Sequence, residues 1–247
     1  MSLPARAHLE LLLRDRKLDH TLTTSVIGGT AKPAETGDRL AGTSHPDVDR
    51  RLHGGLPCGH ISEFVGPRSS GRTRLLHATL AAATGRGDVV ALIDALDTFD
   101  PESASAAGLD LRRLLWIRGQ AMSSARLSLA QEWGGFHTAL DRALKAVALV
   151  LQTGQFGIVA LDLIDIPPQA IGRAPFTTWL RLQRAIEGTE TVCLLLGAQQ
   201  IARSAGGVTV QLSTNQLAGP RRIEAPSTPT LFPATELDPR VIRAHGL

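Results

Sequence analysis

The stretch Gly66-Pro67-Arg68-Ser69-Ser70-Gly71-Arg72-Thr73 constrains this chain more than any other. It fits G-x-x-x-x-G-K-[ST] except that Arg72 stands where the pattern has lysine. An apolar run over 61–65 precedes it, and a helix-forming segment over about 73–84 follows. In that context backbone N–H groups and the positive helix N-terminus can surround a phosphate. A lysine there gives a point charge to the β- and γ-phosphates, and the threonine hydroxyl binds magnesium. Arg72 keeps the charge on a larger, planar group, so the exchange changes the shape of the site. A ligand-free glycine-rich turn satisfies the same pattern, and the residues alone leave both readings open.

Around this turn, apolar runs alternate with helical segments. Strands are predicted over 61–65, 88–94, 114–117, 156–162, 191–197 and 207–213. Helices are predicted over 73–84, 102–107, 137–152 and 175–187. Near-continuous apolar strands separated by helices give an α/β fold, a mostly parallel twisted sheet with helices on both faces. The core is expected over 48–216. Before it, residues 4–18 read as an amphipathic helix with a stripe of Leu9, Leu12, Leu13 and Leu18, residues 21–26 as a short strand, and 27–47 as a linker rich in Gly, Thr, Ala and Pro. Residues 1–47 are thus an arm that needs something to dock on. From 217 onward the chain carries Pro220, Pro226, Pro229, Pro233 and Pro239 and reads as an irregular tail to 247.

Composition narrows the classes further. The chain has 247 residues, 43% of them hydrophobic, which suits a folded domain with extra arms. Net charge is only +3, and of the 26 basic residues only Lys17, Lys32 and Lys145 are lysines. Arginine favours planar contacts to phosphate or carboxylate. Cys58 and Cys193 belong to no zinc-spaced cluster and suit a reducing compartment. Neither a signal-peptide core nor a membrane-spanning apolar stretch is visible, so a cytoplasmic protein is expected.

With these residues in view, a family resemblance emerges. Leu52-His53-Gly54-Gly55-Leu56-Pro57-Cys58-Gly59-His60-Ile61, then Glu63 and the loop Gly66–Thr73, resembles bacterial RecA. Leu92-Ile93-Asp94-Ala95, Asp100-Pro101, Ala107-Gly108-Leu109-Asp110 and Leu114-Leu115 continue the likeness in order. Ile158–Asp162 stands where that family has its Walker B strand, and Gln199-Gln200-Ile201 where it has Asn-Gln-Ile. The resemblance covers roughly 40–215 and implies a RecA-like P-loop core. It also implies ATP and magnesium as cofactors, with Gly66, Ser69, Ser70, Gly71, Arg72 and Thr73 around the phosphates, Thr73 and Asp162 on the metal side, and Gln200 sensing the γ-phosphate.

The departures weigh against turnover. The position of the family's water-activating Glu holds Leu96, which can neither accept a proton nor orient water. The position of its adenine-stacking Tyr holds Ser103, and the chain has no tyrosine at all. An active ATPase of the recombination-mediator kind would need another carboxylate, such as Asp97, as its base. The segments matching the DNA-gripping loops are short. One is Ala202–Gly206, and the other is Leu163–Ala174 with Pro167-Pro168. Single-strand binding uses a basic groove with aromatic platforms; only Phe176 and Trp179, beside Arg173, Arg181 and Arg184, offer one, and an apolar helix face explains them as well.

A reduced RecA paralogue of this kind is similar to the ImuA family, with no catalytic residue expected. That resemblance implies a role in the SOS response and translesion synthesis. The implied partners are an ImuB-like polymerase homologue or RecA itself, with an error-prone DnaE-type polymerase engaged indirectly, DNA contacted weakly or indirectly, and no membrane. Leu9, Leu12 and Leu13 are the expected partner-binding residues. The related SulA division inhibitors share the fold and form a third reading. Elsewhere, Asp94, Asp97 and Asp100 read as a solvated loop in preference to a metal site, with Asp94 close enough to the strand end to approach the phosphates. His53 and His60 read as structural. Gln211-Leu212-Ser213 falls within a strand, and Thr230-Leu231-Phe232-Pro233 reads as a docking peptide or as packing on the core.

Overall fold

Side-chain alternation along the strands builds a sheet buried on both sides. The structure is a computed structural model and describes residues 39–120, 129–202, 207–213 and 238–243. Strands β3 (Ile61–Val65), β4 (Val90–Asp94), β5 (Leu114–Arg118), β6 (Ile158–Asp162), β7 (Val192–Gly197), β8 (Thr209–Ser213) and β9 (Asp238–Arg243) form one sheet in the order β5-β4-β6-β7-β3-β8-β9. All neighbours are parallel except β8 and β9. Successive residues point to opposite faces. Leu92, Ala160, Leu194 and Phe64 therefore pack with Leu75, Leu76 and Leu80 of helix α2 (Arg72–Gly85). Ile93, Leu161 and Leu195 pack on the other face with helices α4 (Leu129–Thr153) and α6 (Phe176–Ile186). Every residue of β3, β4 and β7 is buried.

Shorter elements complete the core: β1 (Leu40–Ala41), α1 (Pro46–Arg51), β2 (Leu56–Pro57), α3 (Pro101–Ala106) and α5 (Pro168–Ile171). All the strands and helices predicted within the core are present. Helix α4 starts eight residues before the expected 137, at Leu129. Residues 39–47, assigned by composition to a linker, pack on the core. Strand β1 pairs antiparallel with β2, and buried Thr43 donates from both N and Oγ1 to Asp49 Oδ1, each at 2.8 Å. The Gly54-Gly55 turn permits this close approach: Gly55 has φ +146, and a Cβ there would lie 2.3 Å from the Ala41 carbonyl oxygen.

The tail also departs from expectation, because residues 238–243 form strand β9 antiparallel to β8. Pro239 fits because β9 is the edge strand of the sheet, where a missing donor is tolerated. The arm with Leu9, Leu12 and Leu13, and the segment Thr230–Pro233, lie outside the described residues. Among the described residues, no helix is long and apolar enough to cross a membrane.

Candidate functional site

The order of strands sets the site. Strand β3 lies between β7 and β8, and the loop Gly66–Gly71 leaves its carboxyl end to start α2. Gly71 takes φ +88 immediately before the helix, and Ser69 takes φ +60. A left-handed residue other than glycine carries a conformational cost of about 1 kcal/mol, so the loop spends stability to hold this curve. Ser70 is 1% exposed, and its Oγ has no hydrogen-bond partner among the described residues. A buried hydroxyl without a partner, beside the N-terminus of a 14-residue helix, fits a phosphate oxygen. Thr73 is exposed on the first turn.

Arg72 turns inward, with 4% of its surface exposed. Its Nη1 donates to the Gly197 carbonyl oxygen at the end of β7, at 2.6 Å. Burial lowers the pKa of the guanidinium, and the charges of Asp162 and Asp165 oppose that. Arg68 pairs with Asp165 at 2.7 Å on the loop's exposed side.

Asp162, at the end of β6, is pushed up to about 6 by burial, with the charges of Asp94 and Asp165 adding and the bond from Ile164 N (2.9 Å) opposing. Because 6 lies above the ordinary 3.8, the native state keeps this proton longer than the unfolded chain does. The stability present below pH 4 is therefore lost as pH rises through 6. Asp162→Asn should raise stability at pH 7.5 by up to about 3 kcal/mol and change it little at pH 4. Urea melts at the two pH values check this, and an equal gain at both would contradict it.

Leu96 is 8% exposed and lies in the apolar cluster that holds Ala139, Leu140 and Leu163. Asp97, considered above as a replacement base, is held in a fork by Arg118 (Nε–Oδ1 2.7 Å, Nη2–Oδ2 2.8 Å), which lowers its pKa, and Arg118 in turn lies 4.6 Å over the Trp116 ring. Both carboxylate oxygens are thus engaged and their basicity is lowered, which makes Asp97 a weaker proton acceptor. Asp94 is fully buried and caps its own loop, accepting from Thr98 N (3.0 Å), Phe99 N (2.8 Å) and Trp116 Nε1 (3.3 Å). Its hydrogen bonds are spent on the loop and β5, while its place opposite Asp162 in the β4–β6 register keeps its charge within reach of that carboxyl. Ser103 bonds the Asp100 carboxylate that caps α3. Among the described residues, no three His, Cys, Asp or Glu side chains gather as a metal site. The loop Gly66–Thr73 therefore fits a phosphate chain, and Leu96 offers no group that can accept a proton.

Gln199 and Gln200 are exposed just beyond β7. Glu63 has a role that its place in the RecA-like motif does not disclose. It is 4% exposed, accepts from Ile201 N (3.2 Å) and Ala202 N, and takes Thr209 Oγ1 at 3.3 Å. A single acid inside the buried strand ISEFV was the available signal. The segment matching one DNA loop folds back as α5, burying Ile166, Ala170 and Ile171. Trp179 is core and Phe176 is 47% exposed, so the two do not form a stacking platform. His60 contacts the Gln183 amide at 3.3 Å, and His53 is exposed.

The sheet order and the loop at the end of β3 give an α/β domain of RecA-like fold. Residues 41–127 match the RecA N-terminal domain. RecA of Chlorobaculum tepidum is 33% identical over 118 residues, covering 47% of this chain and 29% of that protein. RecA of Chlorobium chlorochromatii is 29% identical over 157 residues (58% and 39%), and RecA of Allorhizobium ampelinum 48% over 89 residues (36% and 24%). The matched regions thus span well under half of those relatives. The crystal structure of the RadB recombinase matches with a TM-score of 0.50 and 16% identity, over 71% of this chain and 84% of that one, which is a likeness of fold.

Proposed function

We propose that this chain is a catalytically degenerate RecA paralogue that works as a protein-interaction factor of the ImuA type, in the DNA-damage (SOS) response and translesion synthesis. The observation that carries this reading is Leu96: the position that would need an acid lies inside apolar packing. The fork on Asp97 and the engaged Ser103 support it. ATP with magnesium, if taken up through the phosphate cradle and Asp162, then serves as a bound ligand and is not turned over.

The fold offers surface for partners. Strand β5 is an edge of the sheet, with Leu111 and Leu115 about two-fifths exposed beside it. A cavity of about 450 Å³ lies between β5 and α4, lined by Ile117, Gly119, Ala139, Ala143, Arg118 and Arg142. An edge strand without a second neighbour among the described residues, beside a partly apolar groove, suits strand addition by an extended segment. On the other side of the exchange, Leu9, Leu12 and Leu13 would each contribute roughly 1.5–3 kcal/mol on burial in a partner, before ordering costs. The partners proposed are an ImuB-like polymerase homologue and RecA, with a DnaE-type polymerase engaged indirectly and DNA contacted weakly.

Deleting residues 1–26 should abolish capture of ImuB or RecA in a pull-down with purified components. Undiminished capture by the truncated chain would contradict this role of the arm.

A further inference from the structure

We propose that Arg72 is a built-in occupant of the phosphate site: its guanidinium fixes the exit of β7 and has to be displaced before a phosphate chain settles in the loop. This rests on the reading of the site as a degenerate one and adds how it is kept closed. The Gly197 carbonyl oxygen accepts from Arg72 Nη1 at 2.6 Å and from Gly66 N at 3.3 Å, so one atom ties the start of the phosphate loop, the start of α2 and the end of β7 together. Four residues further on, Glu63 receives the Ile201 and Ala202 amides. The exit segment that carries Gln199 and Gln200 is thus held at both ends with no ligand involved.

The tie is a strong one, because a charged donor meeting a buried carbonyl is stronger than a neutral pair. A phosphate recruiting the same guanidinium would have to break it and leave Gly197 with the longer bond from Gly66 alone. The inward turn of Arg72 coexists with a cradle still shaped for an anion, as the unpartnered Ser70 hydroxyl indicates. Occupancy of the site is therefore a competition between an internal cation contact and an external phosphate. A lysine, a compact point charge without the planar fork, would favour the phosphate.

The test uses the full chain and its Arg72→Lys and Arg72→Ala variants, each first confirmed folded by its thermal transition. Amide hydrogen exchange at Gly66 and at 198–202 should quicken at least tenfold in Arg72→Ala. Calorimetry with ATP and magnesium should show at least tenfold tighter binding by Arg72→Lys than by the natural chain. Exchange within twofold of the natural chain, or an unchanged affinity in Arg72→Lys, would overturn the proposal. Failure of the interaction reading would look different: it would appear as ATP turnover by the natural chain, whatever the exchange rates.

Discussion

Glu63→Ala should destabilise the fold by about 3–5 kcal/mol, with Glu63→Gln recovering more than half of the loss. The carboxylate is buried in β3 and gathers the Ile201 and Ala202 amides and the Thr209 hydroxyl. Removing it leaves two buried N–H groups without their acceptor, at roughly 1–3 kcal/mol each, and loses bonds to a charged group that exceed neutral ones. Glutamine keeps a carbonyl oxygen in the same place. Urea unfolding of the three proteins measures this directly, and a loss below about 1 kcal/mol for Glu63→Ala would mean the segment after β7 is held by something else.

Leu96→Glu should cost a similar amount, about 3–5 kcal/mol, and confer no ATPase activity. The side chain is 8% exposed and belongs to the apolar cluster that includes α4, so the new carboxyl would be buried in apolar surroundings. An unpaired acid in such surroundings either holds its proton or forces the loop open. Leu96→Ala, which only empties space, should cost about 2–3 kcal/mol. An acid at this position is therefore expected to leave hydrolysis absent, because the position is buried in the core. Stability curves with phosphate-release assays on both variants check the pair, and turnover gained by Leu96→Glu without loss of stability would refute the placement.

These two positions also show what could be read from the sequence. The strands were legible because apolar runs such as Val192–Gly197 are buried on both faces, and the loop because Gly66 to Thr73 stands between a strand and a helix. Strand β9 was hidden by Pro239, which argues against a strand until its place at the sheet edge is known. The packing of 39–47 was hidden because the longer stretch 27–47, rich in Gly, Thr, Ala and Pro, has no periodicity, and the ties of 39–47 run to Asp49 and to the Gly54-Gly55 turn. The role of Glu63 depends on amides 138 and 139 residues further on, which no local pattern reveals. Asp97 looked available because its partner Arg118 lies 21 residues away on the next strand. Arg72 was recognised as an altered charge, but its contact with Gly197 comes from the neighbouring of β3 and β7.

The most direct test of the whole account is steady-state phosphate release by the pure chain with ATP and magnesium, with and without single-stranded DNA, beside Asp162→Ala. The account predicts release indistinguishable from the protein-free background and identical in the two proteins. Magnesium-dependent turnover by the natural chain that disappears in Asp162→Ala would contradict it.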